Sequence, residues 1–357
     1  MKKNEGLVCL RVLAVISVVV GHLAADTNFM LGLFKVIYSY HIPLFVFISG
    51  YCFFYSMTHL NSIKDVVASK SVRLLFTLWM GRLFAILPEH LFLYKDVPWD
   101  INAILQYIAH DMPNEHLWYL QTLFIIMVIM YPFCKLSKKY KYLNVIVLFI
   151  LAINFNYFGG LVAYHLELNY SFYFMLGFSV PNIIEPLYEK DGLHKVLRGG
   201  WKNLLCIITT GIMVYGQYLI QCHFETYYGA WNLAAHRNRF LLVSTLTIIW
   251  LYMMVSVVLS PKIVTKIAQN KVVRLIDRYS LTIYIYHIII SNILALLIVD
   301  PVFTLFPKIH LIRIARKVVG VLAMIFGPIA VNLGLDATIE KLKKYRKDKI
   351  VAQDDNQ

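Results

Sequence analysis

The sequence predicts an all-α protein that crosses a membrane about ten times, and three observations predict it. Hydrophobic residues make up 59% of the 357 and charged residues only 15%, a more apolar composition than a soluble domain of that length needs. The apolar residues are gathered into runs of roughly 16 to 22, near the length a helix needs to cross the hydrocarbon core. The loops between the runs alternate in basic charge, as the positive-inside rule requires of a multi-span protein.

The runs fall near 7–23, 36–57, 74–94, 116–134, 143–158, 168–184, 204–220, 240–259, 279–299 and 318–335. With the N-terminus inside, the cytoplasmic segments hold 24 of the 34 Lys and Arg and the opposite side holds eight, leaving Arg11 and Arg82 within runs. Both ends are therefore expected in the cytoplasm. The net charge of +14 is explained by orientation and calls for no nucleic-acid partner. Residues 1–340 are expected to form one transmembrane domain, and 341–357 a charged, solvated tail. Five scattered cysteines, Cys9, Cys52, Cys134, Cys206 and Cys222, show neither metal spacing nor a disulfide framework. No small-residue cleavage site follows the first run, which is expected to be a retained helix and not a signal peptide.

That first run, LVCLRVLAVISVVVGHL, carries two ionisable side chains, Arg11 and His22. Eleven steps of 100° bring them to nearly one face of a helix, roughly 16 Å apart along its axis. A titratable residue inside a span is costly and points to function. The plainer alternatives are that Arg11 snorkels to the interface and that headgroups wet His22.

The second run opens YSYHIPLF and brings His41 to the outer level of His22. The fourth opens EHLWYLQ and brings Glu115, His116, Trp118 and Tyr119 there. In the ninth, Ser280, Tyr284, His287 and Ser291 fall at i, i+4, i+7 and i+11, a polar stripe on an apolar helix. Histidine is the usual proton-transfer side chain near neutral pH, although a hydrogen-bonded core histidine is the plainer account of His116 and His287. At the cytoplasmic level stand Arg11 and Arg73. Arg82, nine residues beyond Arg73, faces the opposite way. Phosphate recognition is a natural use of such arginines, against the alternative of interface anchoring. The loop at 221–239 adds the aromatics Tyr227, Tyr228 and Trp231, candidates with Trp118 for stacking on a sugar or for anchoring at the interface.

Arg11, ten residues, then His22 resembles the first-span signature of membrane acyltransferase family three, the bacterial O-acyltransferases of surface carbohydrate. HIPLFVFISGYCFF (41–54), SKSVRLLFTLWMGRL (69–83), HLWYLQTLF (116–124) and YSLTIYIYHIII (279–290) are similar to later segments of that family, in the same order. The VVVGHL wording is similar to the branch of fucose, capsule and O-antigen O-acetylases. The third-span segment departs from the family in having one Arg where two basic residues are common.

The resemblance implies a ten-helix O-acyltransferase of the bacterial inner membrane. Acyl-coenzyme A, expected to be acetyl-coenzyme A, would be the donor, and a hydroxyl of a polysaccharide or its lipid-linked precursor the acceptor. No permanently bound cofactor or metal is expected. His22 would be the catalytic base or a transient acyl carrier, with His41, Glu115 and His116 orienting it or moving its proton. Arg11, Arg73 and Arg82 would hold the donor. Trp118, Tyr119, Tyr284, His287 and Trp231 would line the acceptor. At 357 residues the chain is expected to leave no room for an added soluble hydrolase domain. The rival from another class is a transporter or flippase of a surface-carbohydrate precursor, which would be expected to show paired repeats or broken Gly/Pro-rich helices.

Overall fold

The computed structural model describes residues 4–22, 28–83, 101–102, 117–155, 167–186, 201–222, 234–294, 315 and 317–334. Among these the regular structure is helical, with no strand. Helical stretches coincide with each of the ten apolar runs as far as the described residues extend.

Helix α1 (Glu5–Gly21) begins where the Asn4 side chain accepts from the Leu7 N–H, and it ends where the His22 N–H closes on the carbonyls of Val18 and Val19. It is apolar on nearly every side, as a helix buried all round must be. One face, Leu7, Leu10, Ala14 and Val18, enters the main core. A second, Val12, Val15 and Val19, packs with Ile276, Tyr279, Ile283 and residues 324–329. On a helical wheel Arg11 and His22 fall between these two faces. The Arg11–His22 line of α1 therefore runs along the seam between two packed clusters.

Helix α2 (Asn28–Ser56) is the second wall of the core. Pro43 inside it has no N–H for the Ser39 carbonyl four residues back. The Ser244 hydroxyl, from helix α8 (Ala234–Met253), donates to that carbonyl instead. Close by, Gln217 of helix α7 (Trp201–Cys222) donates to Ser39 at 2.8 Å and to Thr247 at 2.9 Å, polar glue between three apolar helices. Helix α6 (Ser171–Ser179) crosses α2 with backbones almost touching. A Cβ on Gly50 would lie 1.9 Å from the Phe174 carbonyl oxygen, and one on Gly177 1.9 Å from that of Phe47.

Helix α3 (Ile63–Lys70) starts with a capping box of Ser62 and Asp65. Its backbone widens into a π-helical turn, Ser71–Phe76, and stays helical to residue 83. Helix α4 (Trp118–Lys139) is followed by α5 (Lys141–Ile153), whose Tyr142, Ile146 and Phe149 face outward. Short amphipathic helices α9 (Pro261–Gln269) and α10 (Lys271–Arg278) precede α11 (Ser280–Leu294) and α12 (Lys317–Gly334). Glu5 accepts from Thr265 and from Gln269, tying the start of α1 to α9.

Among the described residues, four helices are long and apolar enough to cross a membrane: Leu33–His59, Trp118–Lys139, Arg239–Val258 and Lys317–Gly334. Apolar side chains stand exposed on the outer faces of α5, α7 and α12, the surface a helical bundle presents to lipid. The chain is an all-α protein suited to a membrane.

Candidate active site

At the Arg11 level a cavity of about 220 Å³ opens between α1, α2, α3, α4 and α11. Phe45, Ser49, Cys52 and Ser56, at helical spacing on one face of α2, form one wall. Arg11, Lys70 and Arg73 bring three cationic side chains to the same space, and Tyr119, Ser280 and Tyr284 close it. Arg73 sits in the π-helical turn, a departure from α geometry that recurs at functional sites. Burial, and then the neighbouring Arg73 guanidinium, push the Lys70 ammonium below its ordinary value. An anion between the two cations would relieve both penalties.

Arg11 does not stand alone. Its Nη1 lies 3.0 Å from Asp277 Oδ1, and the carboxylate side chain is 1% exposed against 26% for the guanidinium. One prong of the Arg11 fork is thus held from behind by α10, while the side chain still lines the cavity.

His22 ends α1 and is exposed, and its ring lies 5.0 Å from that of His287, centroid to centroid, tilted by 50°. The polar stripe of α11 joins the two levels: Ser280 and Tyr284 line the cavity, and His287 meets His22. Between them three rings touch. Tyr119 and Tyr284 are 5.5 Å apart, Phe45 and Tyr119 5.9 Å, and Phe45 and Tyr284 6.3 Å. His41 is buried with Nδ1 donating to the Ile37 carbonyl at 2.8 Å, and Tyr38 packs edge-on at 4.8 Å. Gly21 approaches Ile37 and Tyr38, so the end of α1 meets α2 one turn before His41.

The structure thus brings Arg11, Arg73, Tyr119 and Tyr284 into one cavity, with His22 and His287 paired beyond it. Arg82 is 5% exposed and lies outside the cavity lining, one residue past Gly81, which packs against Ile285 of α11. Trp118 packs on Tyr170 at 5.8 Å. His287 is fully buried, with its ring against that of His22. Glu115, His116, Trp231 and the tail 341–357 lie outside the described residues.

Sequence reasoning missed Lys70 and Asp277. Lys70 precedes Arg73 by three residues and shares its side of the helix, a spacing that supplies the second cation. Asp277 is the one carboxylate between Glu225 and Asp300. A lone acid among basic residues at the mouth of a span was the available signal.

Residues 4–333 match the model of a family described as an acyltransferase domain. No curated protein and no solved structure matches the chain.

Proposed function

Since the chain belongs to acyltransferase family three, we propose that it is a multi-pass O-acyltransferase of the bacterial inner membrane. The proposal has ten spans with both ends in the cytoplasm, acetyl-coenzyme A as donor, and a hydroxyl of a surface polysaccharide or its lipid-linked precursor as acceptor. The observation that carries it is the continuous polar line from a three-cation cavity to a histidine pair at the other end of α1.

The donor's phosphates suit Arg11, Lys70 and Arg73, whose forks and ammonium match phosphate oxygens. Its thioester, at the end of a flexible arm, would reach past Tyr284 to His22, roughly 16 Å from Arg11 along the helix. His22 would take the proton of the acceptor hydroxyl as its oxygen attacks the thioester carbonyl. The carbon–sulfur bond then breaks, and the proton passes to the departing thiolate. His41, one helical turn beyond Ile37, would order the outer end of the site.

The test is His22→Ala. It removes a base at the end of an apolar helix, and insertion is not expected to suffer. The O-acetyl content of surface glycan, normalised to protein in the membrane fraction, should fall by roughly a hundred- to ten-thousand-fold. His22→Gln, which cannot take up the proton, should fall with it. Undiminished acetylation by a well-expressed His22→Ala variant would sink the proposal.

A further inference from the structure

Between α8 and α11 the chain turns through two short helices at the level where α1 begins. Pro261 opens α9, and Asn270, whose side chain accepts from the Val272 and Val273 N–H groups, bends the chain into α10. The inner faces of both are taken by α1. Thr265 and Gln269 donate to Glu5, Cys9 Sγ lies 4.0 Å from the Val264 carbonyl oxygen, and Asp277 holds Arg11. Val264, Ala268 and Ile276 are buried.

The outer faces combine two kinds of side chain. Ile263 is 48% exposed and Ile267 43%, one turn apart on α9, and Val272 stands exposed on α10. Lys262 and Lys266 are exposed too, each about 100° round the helix from the isoleucine that follows it. On α10, Lys271, Arg274 and Arg278 are exposed and fall within about 60° of one another, opposite the buried Ile276. Asp277 is the one carboxylate from 259 to 278, and it is turned to Arg11. Among the described residues no carboxylate pairs with any of the five cations.

We propose that α9 and α10 form a docking surface for anionic phospholipid of the cytoplasmic leaflet, with Ile263, Ile267 and Val272 entering the acyl boundary. A helix that carries cations beside an apolar strip lies in the interface and binds through both. Charge selects the headgroup, because five cations without a counter-charge favour a phosphodiester over a zwitterion. Position favours lipid over a soluble acidic partner. The two helices lie level with the first turns of α1, whose apolar run begins at Leu7, so the exposed isoleucines stand at the edge of the bilayer. The inference rests on the proposed membrane orientation and is independent of acyl transfer.

The test places the purified full-length chain in phosphatidylcholine vesicles that carry a minor fraction of a probe lipid. The probe is phosphatidylglycerol or phosphatidylcholine with a photoactivatable group on its acyl chain near the glycerol. It is present in both leaflets, so labelling reads the surface and not the orientation. After illumination, peptide mass spectrometry measures the label on 259–278, and on α5 as the control for insertion. In wild type the phosphatidylglycerol probe should label 259–278 roughly tenfold more than the phosphatidylcholine probe, an excess that falls in high salt. The combined variant Lys262→Gln, Lys266→Gln, Lys271→Gln and Arg274→Gln should lose the excess. Ile263→Ser with Ile267→Ser should lower labelling by both probes. If the Gln variant does not accumulate, the salt dependence of the wild type decides.

Equal labelling of 259–278 by the two probes in wild type would overturn the inference, as would an excess that the Gln variant or high salt leaves intact. Label on α5 with none on 259–278 would overturn it in favour of a soluble partner. Absence of label on α5 as well would overturn the membrane reading, and this inference with it.

Discussion

Arg11 and Asp277 show how a residue that looks like a free cation in sequence is half of a pair in space. The carboxylate is buried and the guanidinium mostly so, and removing one partner leaves the other charge uncompensated, at a cost of about 3–5 kcal/mol. Arg11→Gln alone should therefore lower both thermal stability and donor use, and the two effects would be confounded. The double variant Arg11→Gln with Asp277→Asn removes both charges and should regain most of the stability while donor KM stays raised. Thermal unfolding in detergent and acetyl-coenzyme A kinetics measure the two separately. A double variant with wild-type KM would exclude Arg11 from the donor site. Arg11 and His22 were legible because their spacing matches the helical repeat in an otherwise apolar run. Lys70 and Asp277 were not, since a charge at the mouth of a span reads equally well as an orientation signal. Only the folded bundle shows which of those charges turn inward.

Among the elements, the crossing of α2 and α6 leaves the least tolerance. Gly50 and Gly177 are reciprocal, each lying where the partner backbone leaves no room for a methyl group. Small residues at such crossings let helices pack closely in a membrane, where the hydrophobic effect does not press them together. Gly50→Ala would place carbon 1.9 Å from a carbonyl oxygen, so the backbones must part. The expected cost is about 1–3 kcal/mol or more, seen as lower yield and a lower unfolding temperature in detergent. Wild-type stability of Gly50→Ala would show that the two helices are not in contact as described. At the capping box of α3, the N–H groups of Asn61 and Ser62 hold the Asp65 carboxyl below the usual carboxylate range. Its pKa is depressed on folding, so its contribution is present above about pH 4 and is lost as pH falls through the folded value. The apolar runs foretold where these helices would lie, because length and hydropathy are local properties. The π-helical turn at Ser71–Phe76 and the pairing of α2 with α6 depend on contacts between distant parts of the chain, and no local pattern announced them.

For the whole molecule, the proposed route from the three-cation cavity to the histidine pair would carry an electrical hazard if it crossed the membrane. The membrane stores an electrochemical gradient, and moving one charge through 100 mV is worth about 2.3 kcal/mol. A water-filled bore wide enough for the donor's arm would short-circuit that store. The cluster of Phe45, Tyr119 and Tyr284 lies between the two ends, each ring within 6.3 Å of the others. A packed aromatic constriction of this kind would limit the passage of water and ions, while the rings would have to swing aside for a neutral acyl chain. The combined variant Tyr119→Ala with Tyr284→Ala should therefore dissipate an imposed proton gradient in proteoliposomes faster than wild type, as read by an entrapped pH dye. Equal decay rates from equally folded protein would remove the role of insulator from these rings. Under the proposed function, the aromatic cluster would let a cell run a group-transfer path through its membrane without discharging the gradient across it.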